Sequence, residues 1–216
     1  MPLRSLTCAL SLLCASLAAA PVLVLASPGV ARAQAARDAQ AEGFVSTQAQ
    51  RALALLNDQS LSRAQKAARF RTFMDQVADV PRITQYVLGK YNRTATPAQK
   101  RTFAQVFREY ASGVYESRLG DYRGETFRVT GSVVRRPGDV IVSSLVTGGQ
   151  LREPQTVRWR VVRSGLGWRL VDVEVLGVWL AVAQQQDFTR TVDDAGGNID
   201  VLIRQLQAEV ARRGRT

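Results

Sequence analysis

The 216-residue chain contains no histidine, and both of its cysteines, Cys8 and Cys14, fall within the first fourteen positions. A Ser-His-Asp triad, a Cys-His nucleophile pair, a Cys/His zinc site and a disulfide framework are therefore excluded from the body of the chain. Charge is also one-sided: 29 Lys and Arg face 18 Asp and Glu, for a formal net charge of +11. With 46% hydrophobic residues, 22% charged residues and a mean hydropathy of -0.09, the composition is that of a globular chain with one core, not a disordered or membrane-spanning one.

The one long apolar stretch lies at the N-terminus. Met1 to Ala33 holds no acidic residue, places Arg4 near the start, and runs apolar from Leu6 past Pro21 to Leu25 before Ala31-Arg32-Ala33. A basic start, an apolar middle and a small-x-small end are the features signal peptidase reads, so residues 1–33 are expected to be a cleaved signal peptide and 34–216 a single α+β domain. Pro21 interrupts the run, and the piece before it falls short of the roughly 20 residues a spanning helix needs. Thr7 and Leu13 precede the cysteines where a lipoprotein signal carries a small residue. Loss of Arg4 and Arg32 lowers the charge from +11 to +9, still enough to attract anionic lipid, an acidic protein or nucleic acid. Export makes nucleic acid the least expected of the three.

Periodicity divides the remainder into helices, a sheet, and helices again. Residues 35–56 are Ala-rich and end at the Asn57-Asp58 turn; Ser60 or Ser62 then opens a helix with Phe70, Phe73, Met74 and Val77 on one face. Pro81 starts a short helix ending near Leu88-Gly89. Thr96-Pro97 is an N-cap followed by proline at the first helical position, and Phe103, Val106, Phe107, Tyr110, Val114 and Tyr115 form a long aromatic stripe after it. Beyond Gly120 the period becomes two. Alternating segments around Phe127–Val133, Val140–Thr147, Val157–Val161 and Val171–Val175, joined at Pro137-Gly138-Asp139, Gly148-Gly149 and Gly165-Leu166-Gly167, predict an antiparallel meander of four strands or slightly more. Leu180–Thr191 and the set Ile199, Leu202, Ile203, Leu206 and Val210 read as two closing helices. The expected architecture is α+β, with helices covering the apolar sheet face. Periodicity leaves open whether that face is a solid core or a cavity wall.

Candidates for chemistry are few. Asp172 and Glu174, two apart on a strand, point to one face and have acid-base spacing, but a solvated face paired with Arg158, Arg160 or Arg169 is the preferred assignment. The double glycines lack the spacing of phosphate loops and read as turns. Arg135-Arg136 beside a hairpin proline reads as a solubilising turn, and Lys90, Arg93, Lys100 and Arg101 form a basic cluster at a helix junction. An enzyme built on Asp172 or Asp121, and a basic adaptor with a solid core, remain as alternatives.

The order Ile83, Leu88-Gly89, Tyr91, Arg93, Thr96, Gln99, Phe103, Phe107, Tyr115, Leu119, Tyr122, Gly124-Glu125, and then Trp168, Val171-Asp172-Val173, Val175, Gly177-Val178, Leu180, Phe188 and Leu202-Ile203, resembles the MlaC or toluene-tolerance family of periplasmic lipid-binding proteins. The resemblance spans roughly Phe70 to Val210 and departs from the family pattern at Asn92, Trp179 and Gln184-Gln185. It implies a periplasmic, non-catalytic carrier whose cargo is phospholipid by default, a hopanoid-associated relative belonging to the same broad family. The implied partners are an inner-membrane ABC transporter with its substrate-binding ring and an outer-membrane lipoprotein complex, with no metal and no cofactor beyond the bound lipid. On that resemblance Tyr110, Val114, Val129, Val142, Trp159, Val161, Val173 and Val178 are expected to line the tails, and Tyr91 and Arg93 to meet a headgroup or a partner at the mouth.

Overall fold

A computed structural model describes residues 36–116, 124–149 and 151–213. The expected leader, its cleavage point, and Leu119, Asp121 and Tyr122 lie outside these. Four helices come first: α1 (Ala39–Asn57), α2 (Arg63–Val77), α3 (Val80–Val87) and, after a 3-10 turn over Gly89–Asn92, α4 (Pro97–Glu116). Their starts follow local chemistry. The Asp38 carboxylate accepts from the Ala41 N–H at 2.9 Å, and Ser62 with Gln65 forms a reciprocal capping box. Thr96 and Gln99 repeat that box at the head of α4, with Pro97 behind the cap as its sequence predicts.

The sheet has five strands in sequential antiparallel order: β1 (Thr126–Arg136), β2 (Asp139–Thr147), β3 (Gln155–Ser164), β4 (Gly167–Val175) and the two-residue β5 (Val178–Trp179). The meander is thus one short strand larger than the four anticipated. Two helices, α5 (Leu180–Asp194) and α6 (Ile199–Arg213), complete the chain. Bulges between Val129 and Gly131 in β1, and between Arg160 and Val161 against β4, let each strand keep its apolar residues on one face as the sheet twists.

Two apolar clusters result. One joins the sheet to α1 and α2 through Ala41, Val45, Val77, Ala78, Val140, Val142, Val161, Trp168 and Leu170. The other is all-helical, built from Phe103, Val106 and Phe107 of α4, Phe188 and Val192 of α5, and Leu202, Ile203 and Leu206 of α6. Phe103 and Phe107 stack at 5.7 Å, and both meet the edge of Phe188 near 6 Å. Ile83 of α3 packs against both clusters. Gly89 is needed where α3 passes into the 3-10 turn: its φ is +56°, and a Cβ there would sit 2.8 Å from Thr189 Oγ1 of α5. Gln185 of α5 donates its side-chain N–H to the Tyr86 carbonyl at 2.6 Å and fastens the same junction.

Candidate functional site

Register brings most of the expected lining residues together. Val142 lies opposite Trp159, Trp159 opposite Val173, and Val161 opposite Val140, so they form a continuous apolar row across β2, β3 and β4. Val142 and Val161 are fully buried, whereas Val129, Trp159 and Val173 are half-buried and pack around them. The row is closed by α1 and α2 at the end of the sheet holding the β1–β2 turn and is looser toward Phe127, whose ring meets Trp159 edge-on at 5.8 Å. The Trp159 indole N–H donates to Ser144 Oγ at 2.8 Å, and that hydroxyl donates to the Val157 carbonyl at 3.1 Å. A polar pair inside an apolar face is thereby satisfied without water.

Three of the eight lie elsewhere. Tyr110 belongs to the all-helical cluster, tilted against Phe188 with the Arg213 guanidinium 5.6 Å above its ring. Val114 is half-buried one turn further along α4. Val178, on β5, is 50% exposed and joins neither cluster. The reason is topological. The α4 stripe finds its partner in α6, which folds back along α4, and in Phe188 of α5.

Between the clusters is a space that periodicity does not announce. A cavity of about 90 Å³ lies where α2, α3 and α4 converge, floored by Phe70, Met74, Ala78, Val80, Ile83, Phe107 and Ala111. Arg71, Asp75, Arg108 and Ser112 stand at its rim, with Arg108 ion-paired to Asp75 across it. Arg71, Val80, Arg108 and Ser112 also border an open groove of about 760 Å³ that runs to Val210 and Arg213 of α6. An apolar floor with guanidinium groups at its edge can receive a hydrocarbon chain and hold an anionic oxygen beside it. Phe70, Met74 and Phe107 are legible as apolar stripe residues; Arg71 and Arg108 carry no sequence signal that separates them from other solvent-facing arginines.

Tyr91 and Arg93 do not border this cavity. The Tyr91 hydroxyl donates to the Asp193 carboxylate, which also takes Lys90 Nζ at 2.7 Å, tying the 3-10 turn to the end of α5. Lys90, foremost, and Tyr91 hold the Asp193 carboxyl below its ordinary range, and the same hydrogen bond raises the Tyr91 phenol. Arg93 is exposed beside a shallow groove with Lys90 and Gln185. The carboxylate pair of β4 differs from the solvated face assigned to it. Glu174 does pair with Arg158, but it is buried, and Asp172 is buried with one oxygen accepting the Val173 and Ala181 N–H groups, each at 2.8 Å. Asp172 therefore caps α5 from a neighbouring strand in place of Trp179, which offers no capping side chain. Burial pushes its carboxyl above the usual range against those hydrogen bonds. Among the described residues no group of His, Cys, Asp and Glu is arranged to hold a metal ion, and no helix is long and apolar enough to cross a membrane.

Comparison with known proteins places this geometry in context. The family model described as MlaC protein matches residues 46–208, which takes in the whole sheet, the all-helical cluster and all of the sheet cluster named above but Ala41 and Val45 of α1. Among solved structures, the phospholipid-binding protein from Ralstonia solanacearum in complex with a phospholipid is 25% identical; the match has a TM-score of 0.71 and covers 82% of this chain and 99% of that one.

Proposed function

The chain belongs to the MlaC protein family, and from that premise we propose that it is a lipid carrier which takes up phospholipid and does not cleave it. The observation carrying this is the similarity, over 82% of the chain, to a protein holding a phospholipid. The physical case agrees with it. Each methylene exposed to water costs about 0.8 kcal/mol, so a two-tailed lipid crosses an aqueous space only when its tails stay covered. A bilayer solvates tails as well as a protein interior does, so a carrier gives passage, and direction comes from its partners.

In this proposal residues 1–33 direct export, and residues 34–216 carry lipid through the periplasm between an outer-membrane lipoprotein complex and the substrate-binding ring of an inner-membrane ABC transporter. The tails enter along the seam between the two clusters and spread against the half-buried part of the sheet face, where Val129, Trp159 and Val173 stand. Arg71 and Arg108 are the better-placed headgroup contacts, since they rim the apolar cavity, whereas Arg93 borders a separate shallow groove and Tyr91 is hydrogen-bonded to Asp193, which leaves both to meet a protein partner. The cavity of about 90 Å³ is smaller than the roughly 150 Å³ apolar cavity that admits benzene, so uptake requires α2 and α4 to part.

The test is native mass spectrometry of protein purified without detergent, with lipid extraction of the same sample. A bound mass that extracts as phospholipid is expected. Val173→Asp, which places a charge against the tails, is expected to fold and lose that mass; a folded variant that stays fully loaded would refute the placement. Parent protein that is lipid-free and refuses added lipid would refute carriage itself.

A further inference from the structure

The turns β1–β2 and β3–β4 lie side by side at one end of the sheet, joined by the Arg163 N–H donating to the Gly138 carbonyl at 2.7 Å. Around them stand four guanidinium groups, three of them on one carboxylate. Asp139, 3% exposed, takes Arg160 through two bonds of 3.0 and 2.8 Å, and its Oδ2 also meets Arg136 at 3.3 Å and Arg135 at 3.5 Å. Arg163 stacks over Trp168 and donates to Gln40. The group carries three positive charges beyond those neutralised by Asp139, and the side chains of Arg135 and Arg136 remain 46% and 72% exposed. The nearby acids of α1 are engaged, Glu42 with Arg37 and Asp38 at the helix cap. In the middle of the adjacent turn, Leu166 stands 80% exposed, more than any other large apolar residue described.

We propose that this end of the sheet docks on an anionic bilayer surface, the arginines meeting lipid phosphates and Leu166 entering the interface. Charge and apolar anchor select this occupant together. Guanidinium groups pair bidentately with phosphate oxygens, and a single leucine on a protruding turn suits a deformable hydrocarbon boundary. Arg160 already bonds both oxygens of Asp139, so Arg135 and Arg136, at 3.5 and 3.3 Å, add charge to this end of the sheet beyond what the carboxylate needs. The docking surface lies apart from the seam, so a docked molecule keeps its cavity clear of the turns that touch the bilayer, and docking does not depend on the identity of the cargo.

The experiment is flotation of the purified protein, its N-terminus determined by intact mass, with vesicles of phosphatidylcholine alone and of equal parts phosphatidylcholine and phosphatidylglycerol. Binding to the anionic vesicles, weakened by salt, is expected, with little binding to the neutral ones. The double substitution Arg135→Ser with Arg136→Ser, both on exposed side chains, is expected to weaken anionic-vesicle binding about 30-fold while thermal stability holds. Leu166→Ser is expected to remove the binding that survives in salt. Equal binding to both vesicles, no binding to either, or unchanged binding by both variants would overturn the proposal; in the second case an acidic protein becomes the partner to seek. Lipid carriage is read separately, by native mass on the unfloated fraction, so either idea can fail without the other.

Discussion

Filling the seam cavity separates its structural cost from its use. Ala111 lines the space on α4, facing Met74 and Phe70 of α2. An enclosed apolar cavity costs about 24 cal/mol per Å³, so a space of about 90 Å³ that opens to solvent between Arg71 and Arg108 sets an upper bound of roughly 2 kcal/mol on what filling it returns. Ala111→Leu adds a branched side chain directed into that space. Ordering its rotamers takes back about 0.5–1 kcal/mol, leaving a gain of at most about 1 kcal/mol. In a domain of this size that raises the unfolding midpoint by about 2–4 °C. The same substitution occupies the entrance proposed for the tails, so lipid recovered by extraction should drop steeply. Calorimetry and native mass spectrometry on one preparation supply both readings. A variant that is stabilised yet still fully loaded would remove the seam from the uptake route; a destabilised variant would mean that the space at Ala111 is not available to a side chain at all.

Asp172→Ala removes the acceptor for two buried N–H groups and is expected to cost about 2 kcal/mol after relief of its buried charge, with protection from hydrogen exchange lost first at the start of α5; Asp172→Asn, which keeps one acceptor, should cost less. Because the folded carboxyl is raised, it binds its proton more tightly than the unfolded chain does, so its contribution favours folding at low pH and fades as pH rises through its folded value. Asp139 has the opposite sign: Arg160 lowers it, so its stabilisation is complete above the unfolded carboxylate value near pH 4 and is lost as pH falls below that. Asp139→Asn is accordingly expected to cost about 2 kcal/mol at neutral pH, less than a fully buried pair because Arg160 retains solvent, and denaturant midpoints of variant and parent should converge in acid. Leu176, 79% exposed, holds φ at +52° in a two-residue turn whose other member, Gly177, is at +80°, a conformation that favours Asn-Gly. Leu176→Asn is expected to raise stability by about 1 kcal/mol in thermal unfolding, and a fall would show that the leucine packs against something in solution.

Where sequence and structure agree, the determinants are local. Thr96, Pro97 and Gln99 specify the start of α4 within four residues, and Pro137-Gly138 specifies the first hairpin, so both are legible without knowledge of the rest of the chain. Asp172 shows where such legibility stops. Its spacing from Glu174 is that of any half-solvated strand, and what buries it is the return of α5 nine residues later onto its carboxylate. Tyr110 illustrates the same limit for packing: a stripe identifies which face of a helix is buried but not the surface that meets it, and here α5 and α6 reach it.

The seam was hidden for a different reason. It exists because Ala78 and Ala111 are too small to fill the space between Met74, Ile83 and Phe107, and apolar periodicity counts an alanine as fully as a leucine. That omission has a mechanical consequence. Each cluster is closed on itself, one by the sheet with α1 and α2, the other by α4, α5 and α6, and among the described residues Ile83 packs on both while the exposed Arg108–Asp75 pair bridges α4 to α2. Exposed pairs contribute about 0–1 kcal/mol, so parting the helices at the seam breaks little that either core depends on. Chain entry there would replace a void and one weak pair with hydrocarbon contact, whereas entry through either cluster would have to displace close-packed side chains first. The route of least disruption therefore runs past Arg71 and Arg108, which places fixed positive charge beside the path before the tails are covered.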